Sequence, residues 1–212
     1  HTALRRQRQM CIRDSVNRVG LDPKTISSSN YLNLKKLCSK QGIELIETKN
    51  LIDQIWKRRK NIKSSAKKHE IKFAGVNSKL KIDQILKIIK RNKAEALFIP
   101  QSENVCWTLN IRGEDLEHTP ILRSYLLIDK SKNLMLFSDN ITNHSQLKSW
   151  LGKNIEVFET KEFENVIKRQ NYQKIQFDPN YTTQSQASSL IKYSNSFICL
   201  SDPITLMKAC KN

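Results

Sequence analysis

Glycine, proline and cysteine are scarce in this sequence, with five residues of each among 212, and aromatic residues make up only 7% of it. This composition excludes a collagen-like chain, a low-complexity chain and a disulfide-rich secreted scaffold. The five cysteines are scattered, without a Cys-x-x-Cys pair or a histidine at ligand spacing. Neither a zinc site nor a disulfide framework is therefore predicted. With 38% hydrophobic and 27% charged residues, the chain has the composition of a globular protein that buries a core.

Long apolar runs are also missing from the sequence. No stretch approaches the roughly 18 apolar residues of a membrane helix, and the N-terminus lacks the charged, apolar and small-residue pattern of a signal peptide. The sequence therefore predicts a cytoplasmic protein that makes no membrane contact.

Acidic residues are few: 20 Asp and Glu stand against 37 Lys and Arg, which gives a formal net charge of +17. An excess of this size favours nucleic-acid binding, because Lys and Arg gain affinity by releasing phosphate counterions. The lysines, however, are spread along the whole chain together with abundant Ile and Asn. That distribution is typical of the codon bias of an AT-rich bacterial genome. The sequence thus predicts a bacterial source, and nucleic-acid binding is the weaker alternative.

The first fifteen residues, HTALRRQRQMCIRDS, show neither apolar periodicity nor a starting methionine. They resemble the translation of a common sequencing adapter. We therefore interpret 1–15 as an adapter artefact and exclude it from the fold analysis, as an expression scar would be excluded.

The remaining chain alternates helical and strand patterns. Before residue 60 the pattern predicts a helix capped by Ser29 or Asn30, a short strand at 43–46 and a helix capped by Asn50. A lysine-rich linker is expected at 61–70. Alternating elements from 71 to 203, with a hairpin across 129–133, predict an α/β fold in which a mixed β-sheet is flanked by helices.

Two Asp-Pro turns suggest an internal repeat. Asp22-Pro23 and Asp178-Pro179 lie in similar sequence contexts, and each precedes a predicted helix, strand and helix. Two copies of one fold are therefore expected, the first represented by its C-terminal part only.

The stretch from Asn104 to Pro120 is the most distinctive in the chain. Its candidate substrate-pocket or interdomain residues are Trp107, Asn110, Arg112, Gly113, Asp115 and His118. In one interpretation Arg112 clamps a carboxylate, His118 exchanges protons and Gly113 permits close approach to a ligand. In the simpler one, Trp107 and Leu109 are core residues, Arg112 pairs with Asp115, and His118 lies on the surface.

Catalytic signatures are absent from the sequence: it has no His-Glu-x-x-His, Gly-x-Ser-x-Gly, phosphate-binding glycine loop or dinucleotide fingerprint. The isolated His69 and His144 are expected to be solvated. No catalytic residue and no metal ligand is predicted in this chain.

Four motifs, in order, resemble the aminopeptidase P (Xaa-Pro aminopeptidase) family over about residues 16–212. They are Asn50–Trp56, Phe73-Ala74-Gly75 with Ser78 and Lys79, Val105–Asp115 followed by His118–Pro120, and Asp202-Pro203 with Leu206–Asn212. Lys57–Lys60 departs from the family pattern, which usually has Asp, Pro and further prolines at this position.

The resemblance implies two tandem creatinase-type (ribonuclease H-like) N-terminal domains followed by a catalytic domain outside this chain. We accordingly expect the end of the first domain at 16–60, the linker at 61–70, the second domain at 71–203 and the start of a truncated catalytic domain at 204–212. Two divalent metal ions, usually manganese, are expected in that absent catalytic domain, and none in this chain.

The function implied is that of a non-catalytic fragment, inactive alone, of a hydrolase that releases the N-terminal residue preceding proline. Its substrates would be short peptides with proline at the second position, and its domains would shape the cleft and support a homodimer. The alternative is a stand-alone binding or assembly module of the same fold.

Overall fold

The computed structural model describes residues 17–56, 65–139 and 141–209. The adapter interpretation of 1–15 and the first part of the predicted linker, 57–64, concern residues outside these ranges. Within them, strands and helices alternate along the chain. The strands are β1 (Arg18–Leu21), β2 (Glu44–Glu47), β3 (Lys67–Lys68), β4 (Ala96–Ile99), β5 (Ile111–Arg112), β6 (Tyr125–Asp129), β7 (Leu134–Phe137), β8 (Ile155–Phe158), β9 (Lys174–Phe177) and β10 (Ser196–Cys199).

The α-helices follow the amphipathic segments of the sequence. They are α1 (Ser28–Lys40), α2 (Ile52–Ile55), α3 (Ile71–Ala74), α4 (Ser78–Arg91), α5 (Ser102–Leu109), α6 (His144–Leu151), α7 (Phe163–Gln170), α8 (Gln184–Lys192) and α9 (Pro203–Ala209). A 3₁₀ turn, Thr160–Glu162, leads into α7. Helix α4 begins after Asn77, whose side chain accepts a hydrogen bond from the Lys79 amide and so satisfies one free N–H of the first turn.

A six-stranded mixed sheet forms the centre, in the order β10-β9-β4-β6-β7-β8. The pairs β10–β9, β9–β4 and β7–β8 are parallel, whereas β4–β6 and the hairpin β6–β7 are antiparallel. All four residues of β4 and of β7 are buried. This matches their uninterrupted apolar sequences, because a strand covered on both faces needs no polar side. The predicted fold class, a mixed sheet flanked by helices, is confirmed.

Two hydrophobic clusters cover the two faces of this sheet. Successive residues of β4 join different clusters, as the alternation of side chains along a strand requires. Helices α4, α5, α6 and α9 contribute to the cluster that contains Leu97 and Ile99. Helices α7 and α8 contribute to the cluster that contains Ala96 and Phe98. The core is therefore built from residues after 65.

Residues 17–56 form a smaller unit that repeats part of the larger one. Strand, Asp-Pro turn, helix and parallel strand follow one another in β1–α1–β2 and again in β9–α8–β10. In each turn the aspartate, Asp22 or Asp178, accepts a hydrogen bond from the amide two residues later, at 2.9 Å. The structure thus shows the same local order after both turns, while two complete domains stay a prediction.

The two turns contact each other through reciprocal backbone hydrogen bonds. These run from Ser28 N to Thr182 O (2.9 Å), from Gln184 N to Ile26 O (2.9 Å), from Ser29 N to Pro179 O (3.0 Å) and from Ser185 N to Pro23 O (2.9 Å). Between them lies an isolated antiparallel bridge of Ser27 with Thr183. Since each bond has a counterpart with donor and acceptor exchanged, the two repeats are related by an approximate two-fold axis.

Some local expectations differ from the structure. Strand β2 is shifted by one residue from the predicted 43–46, and the N-cap of α2 is Leu51 rather than Asn50. Helix α1 is capped by Ser27 rather than by Ser29 or Asn30, because Ser27 is held in extended backbone by its bridge to Thr183. The lysine-rich segment at 65–69, expected as a solvated linker, contains β3, which pairs antiparallel with β5. The side chains of Lys67 and Lys68 are exposed, but Ala66 is buried in the core and the backbone has a hydrogen-bonding partner that the sequence pattern does not reveal.

Candidate functional site

Residues 110–123, which we call the Arg112 loop, leave the C-terminal end of helix α5 and return to strand β6. Asn110 ends the helix in the left-handed conformation, with φ 51° and ψ 49°. Asparagine tolerates this conformation better than most residues. The Asn110 carbonyl accepts a hydrogen bond from the His69 amide at 2.8 Å, next to the β3–β5 pair. Lys67 also forms an ion pair with Glu114. The segment before α3 therefore fixes the start of the loop.

A buried lysine binds the C-terminal end of helix α5. Lys81 is only 1% exposed, and its ammonium donates hydrogen bonds to Trp107 O at 2.8 Å and to Asn110 Oδ1 at 2.7 Å. It also lies 4.0 Å from the centroid of the Trp107 ring, within cation–π range. The positive charge at a helix C-terminus is favourable, because the last carbonyls carry partial negative charge. Trp107 and Asn110 are thus brought together by a residue that was not among the predicted site residues.

The middle of the loop packs closely on its own return segment. A Cβ at Gly113 would lie 2.6 Å from Leu122 Cα and 2.7 Å from Leu122 N, closer than any side chain is tolerated. The Leu122 amide also donates a hydrogen bond to Cys106 Sγ, at 3.4 Å. Burial raises the pKa of the Cys106 thiol, so this cysteine acts as a packing residue rather than as a nucleophile. Gly113 is required for close backbone approach within the loop.

Asp115 is buried, at 4% exposure, and fixes the loop internally. Its Oδ2 accepts a hydrogen bond from the Arg123 amide at 2.6 Å, while Oδ1 has no hydrogen-bond partner among the described residues. In that part of the chain Arg112 makes no ion pair with Asp115, so the expected pairing is wrong. The return of the loop instead brings the Arg123 amide against the Asp115 carboxylate.

Arg112 is half-buried, and its guanidinium donates to the carbonyl of Ile111 at 3.0 Å. This single bond fixes the side chain locally and leaves other N–H groups able to bind a carboxylate or a carbonyl. His118, at the tip, has a side chain 91% exposed and lies 3.6 Å from the Glu117 carboxylate. The structure therefore places Arg112 beside the anchored part of the loop and His118 away from it.

The other end of helix α5 carries a polar network that the sequence analysis missed. Asn104 is buried, and its Nδ2 donates to Asp202 Oδ2 at 2.8 Å. Its Oδ1 accepts a hydrogen bond from Lys208 Nζ at 3.0 Å. Burial raises the pKa of Asp202, although the hydrogen bonds from Ile204 N and Asn104 partly offset the effect. Helix α9 is thereby attached to helix α5.

Lys81 carries a signal in the sequence. It shares the four-residue spacing of Ile85 and Ile89, so it is a charged residue on the apolar face of a helix. Asn104 and Asp202 each lie in a distinctive stretch of the sequence, but nothing local indicates that they meet, because they are 98 positions apart.

Within the described ranges, no group of three or more His, Cys, Asp or Glu side chains is arranged to hold a metal ion. A two-metal centre does not fit the residues of this part of the chain. In the same ranges, no helix is long and apolar enough to cross a bilayer. The loop and the C-terminal end of helix α5 offer a cation, hydrogen-bond donors and the Trp107 ring, but no nucleophile beside a base. The arrangement can bind and position a ligand.

Comparison with known proteins agrees with this picture. The Creatinase/Prolidase N-terminal domain family matches residues 57–212. The chain is 32% identical over 127 residues to Aminopeptidase P2 of Arabidopsis thaliana, covering 58% of this chain and 18% of that protein. It is 27% identical to Xaa-Pro aminopeptidase 1 of Dictyostelium discoideum, covering 92% of this chain and 32% of that protein.

The fold is similar to that of a solved X-prolyl aminopeptidase from Caenorhabditis elegans, described as a cytosolic enzyme with a di-nuclear active site. The TM-score is 0.79 at 20% sequence identity, and the match covers 93% of this chain and 33% of the other. At this identity the likeness concerns the fold alone. The chain spans between 18% and 33% of the length of these three relatives.

Proposed function

The chain belongs to the Creatinase/Prolidase N-terminal domain family, and from this membership we propose that it is the non-catalytic, N-terminal part of a metal-dependent Xaa-Pro aminopeptidase. One observation carries the proposal: the match to the Dictyostelium Xaa-Pro aminopeptidase runs along 92% of this chain but accounts for only 32% of that protein. The remaining two thirds of such a protein provide room for a catalytic domain.

In this proposal the enzyme releases an N-terminal residue that precedes proline from short peptides. The two metal ions, with manganese as the proposed metal, bind outside this chain, which is inactive alone. The domains described here shape the cleft and support a homodimer in the cytoplasm. The named relatives above are eukaryotic, and the bacterial source stays a prediction.

The Arg112 loop is the proposed contact between this part and the peptide cleft. Its anchoring by Lys81, Asn110 and Asp115 supports the proposal, because a residue that positions a substrate must itself be held in place. Arg112 supplies a planar cation suited to a peptide carboxylate or carbonyl, and Trp107 supplies an aromatic ring in the last turn of helix α5.

The first test is the source locus, sequenced with long reads through both ends of the reading frame. We expect the frame to continue past Asn212 into a domain with two Asp, one His and two Glu metal ligands, and residues 1–15 to be absent from it. A stop codon directly after Asn212 would contradict the peptidase proposal and favour a stand-alone binding module.

The second test uses the full-length protein and a tripeptide with proline at the second position. We expect Arg112→Ala to raise KM about tenfold, and Arg112→Lys to recover only part of the loss, because lysine lacks the two-pronged donor geometry. The exposed Arg91 provides the matched control, Arg91→Ala, which we expect to leave KM and kcat unchanged. If Arg112→Ala also left both parameters unchanged, the loop would not contact the peptide.

Retention on DNA provides a check on the alternative function. A nucleic-acid-binding protein would show salt-sensitive retention that persists after deletion of residues 1–15. We expect no such retention at physiological salt.

A further inference from the structure

We propose that Asn104 is a positioning residue: by holding Asp202 and Lys208 it fixes helix α9, so that helix α5 sets the orientation of the Arg112 loop relative to the polypeptide that follows α9. This inference rests on the proposed function, in which that polypeptide carries the peptidase centre. It adds a structural link between the loop and the centre that neither the sequence motifs nor the comparisons assign.

The Asn104 side chain uses both of its amide hydrogens and one of the two acceptor sites of its oxygen. One amide hydrogen is donated to Asp202 Oδ2 at 2.8 Å and the other to Gln101 Oε1 at 2.9 Å. The carbonyl oxygen accepts from Lys208 Nζ at 3.0 Å. A carboxylate on one side and an ammonium on the other allow only this orientation of the amide. Asn104 therefore connects two side chains of opposite charge: Asp202, directly before the first residue of α9, and Lys208, in its last turn.

Helix α9 depends on these contacts for its start. Asp202 Oδ1 accepts a hydrogen bond from the Ile204 amide at 2.9 Å, and the Asp202 amide donates to Asp178 Oδ2 at 2.9 Å. Pro203 occupies the first helical position, where its missing N–H is not needed. The Ile204 side chain is fully buried in the core. The helix is thus held at its N-terminus by a cap, a buried side chain and the Asn104 amide.

Helix α5 is tied at both ends. Asn104 lies in its first turn, and the Trp107 carbonyl and Asn110 at its other end are bound by Lys81. Eight helical residues span about 12 Å, and a helix this short does not bend appreciably. Movement of α9 relative to the Arg112 loop therefore requires one of the two attachments to break.

No simple replacement of Asn104 preserves both contacts. An aspartate would keep the bond to Lys208 but place a second carboxylate against Asp202. An apolar residue would leave a buried carboxylate and an ammonium without their shared partner. This chemistry makes Asn104 a specific positioning residue and not merely a polar residue that fits.

The first experiment measures amide hydrogen exchange in the 212-residue chain. We expect Asn104→Ala to accelerate exchange of residues 205–209 about tenfold relative to strand β4, because the lost bonds involve charged partners. Lys208→Met removes one partner from a half-buried position and should act in the same direction without threatening the core. Asn92→Ala is the matched control, since it removes a 2.8 Å side-chain bond to Gln176 away from α9.

The second experiment measures peptide hydrolysis by the full-length protein. We expect Asn104→Ala to lower kcat/KM about fivefold to tenfold, and this loss to fall below about twofold when Arg112 is already alanine. A merely structural role would lower the amount of active enzyme equally in both backgrounds.

The outcomes separate the two proposals. Unchanged exchange in α9 for both variants would overturn the attachment, and an Asn104→Ala loss that is independent of Arg112 would overturn the positioning role. Full-length wild-type protein without Xaa-Pro hydrolysis would refute the proposed function, and with it the positioning role, while accelerated exchange in α9 would still establish the attachment.

Discussion

Gly113 shows at the scale of a single residue why the Arg112 loop has its shape. The backbone of Leu122 occupies the space that a Cβ at this position would need. In this close packing of Leu122 against Gly113, the Leu122 amide also donates a hydrogen bond to the Cys106 sulfur. The three obstructing atoms are Leu122 Cα, N and Cβ, none of which moves when the side chain rotates, so no rotation relieves the contact.

We therefore predict that Gly113→Ala destabilises the chain by about 2 kcal/mol or more, the cost of overpacking against a fixed backbone. Gly152→Ala shows the effect of backbone strain without overpacking, because Gly152 has open space around its Cβ position but φ 95° and ψ 177°, a region that only glycine occupies readily. Its replacement should cost about 1 to 3 kcal/mol. Urea unfolding of both variants measures the losses, and a loss below about 1 kcal/mol for Gly113→Ala would contradict the packing argument.

Asp202 is a second residue whose environment has a measurable effect, here on the pH dependence of stability. Burial raises its pKa, and the nearby Asp178 carboxylate acts in the same direction. A group whose pKa is higher in the folded state than in the unfolded state binds more protons when folded. Its contribution to stability is complete at low pH and is lost as the pH rises through the raised pKa.

Comparison of the wild type with Asp202→Asn isolates this contribution, because asparagine does not titrate. We predict that the free energy of unfolding of the wild type, relative to that of the variant, falls as the pH rises from about 4 through the raised pKa. Carboxylates whose pKa is lowered, such as Asp83 and Glu95, are the same in both proteins and cancel in the difference. A difference that grew with pH would mean that the pKa of Asp202 is lowered instead.

At the scale of elements, the two Asp-Pro turns and their helices are the most regular feature of the fold. Both helices begin at a hydroxyl residue, Ser27 for α1 and Thr183 for α8, which accepts a hydrogen bond from an amide of the first turn. Only α8 has the complete capping box, in which the Gln186 side chain accepts a bond from the Thr183 amide at 3.1 Å. The two caps therefore provide a natural comparison.

We predict that Thr183→Ala costs about 1 kcal/mol of stability and that Ser27→Ala costs less. The two cap bonds are similar in length, 3.4 Å at Ser27 and 3.3 Å at Thr183. The order rests on the reciprocal bond from the Thr183 amide to Gln186, which α1 lacks, and on the place of α1 in the smaller unit. Thermal unfolding of the two variants and of their double mutant tests the order. A larger loss for Ser27→Ala would show that the contact between the turns matters more than the cap itself.

For the whole molecule, the distribution of buried residues decides which part folds alone. Every member of the two hydrophobic clusters lies after residue 65. In residues 17–56 the only buried hydrophobic side chains are Tyr31 and Cys38, while Leu51, Ile55 and Trp56 are exposed. A unit of this size that buries so little apolar surface lacks the stabilisation needed to offset chain entropy.

We accordingly predict that a chain of residues 65–212 unfolds cooperatively, within about 2 kcal/mol of the full chain, because it loses only the bonds between the turns and the packing of α1 on α8. Residues 17–56 alone should show no cooperative transition. Circular dichroism with urea titration measures both. If 65–212 failed to fold, the smaller unit would be part of the core rather than an attachment to it.

The fold was largely predictable because its elements carry local signals. Strands β4 and β7 consist entirely of apolar residues, and the expected hairpin across 129–133 joins β6 to β7. Helix α4 follows the period of Ile82, Ile85 and Ile89. Strand β3 was not predicted, since two lysines form no hydrophobic pattern and only their backbone is paired.

The contacts of the candidate site could not be predicted from the sequence, and its role in binding stays a prediction. His118 is exposed, as the simpler interpretation expected. The Arg112–Asp115 pair was wrong, because the bond from the Arg123 amide to Asp115 depends on how the loop returns.

By itself the sequence determined the alternation of elements, the mixed α/β class and the family, because hydrophobic periodicity and motif order are local properties of the chain. Tertiary structure alone decided which buried polar groups meet. Asn104 reaches Asp202 and Lys208, and Lys81 reaches Trp107 and Asn110, across 98, 104, 26 and 29 positions of sequence. Such pairs form because packing brings distant helices together and leaves each buried polar group in need of a partner.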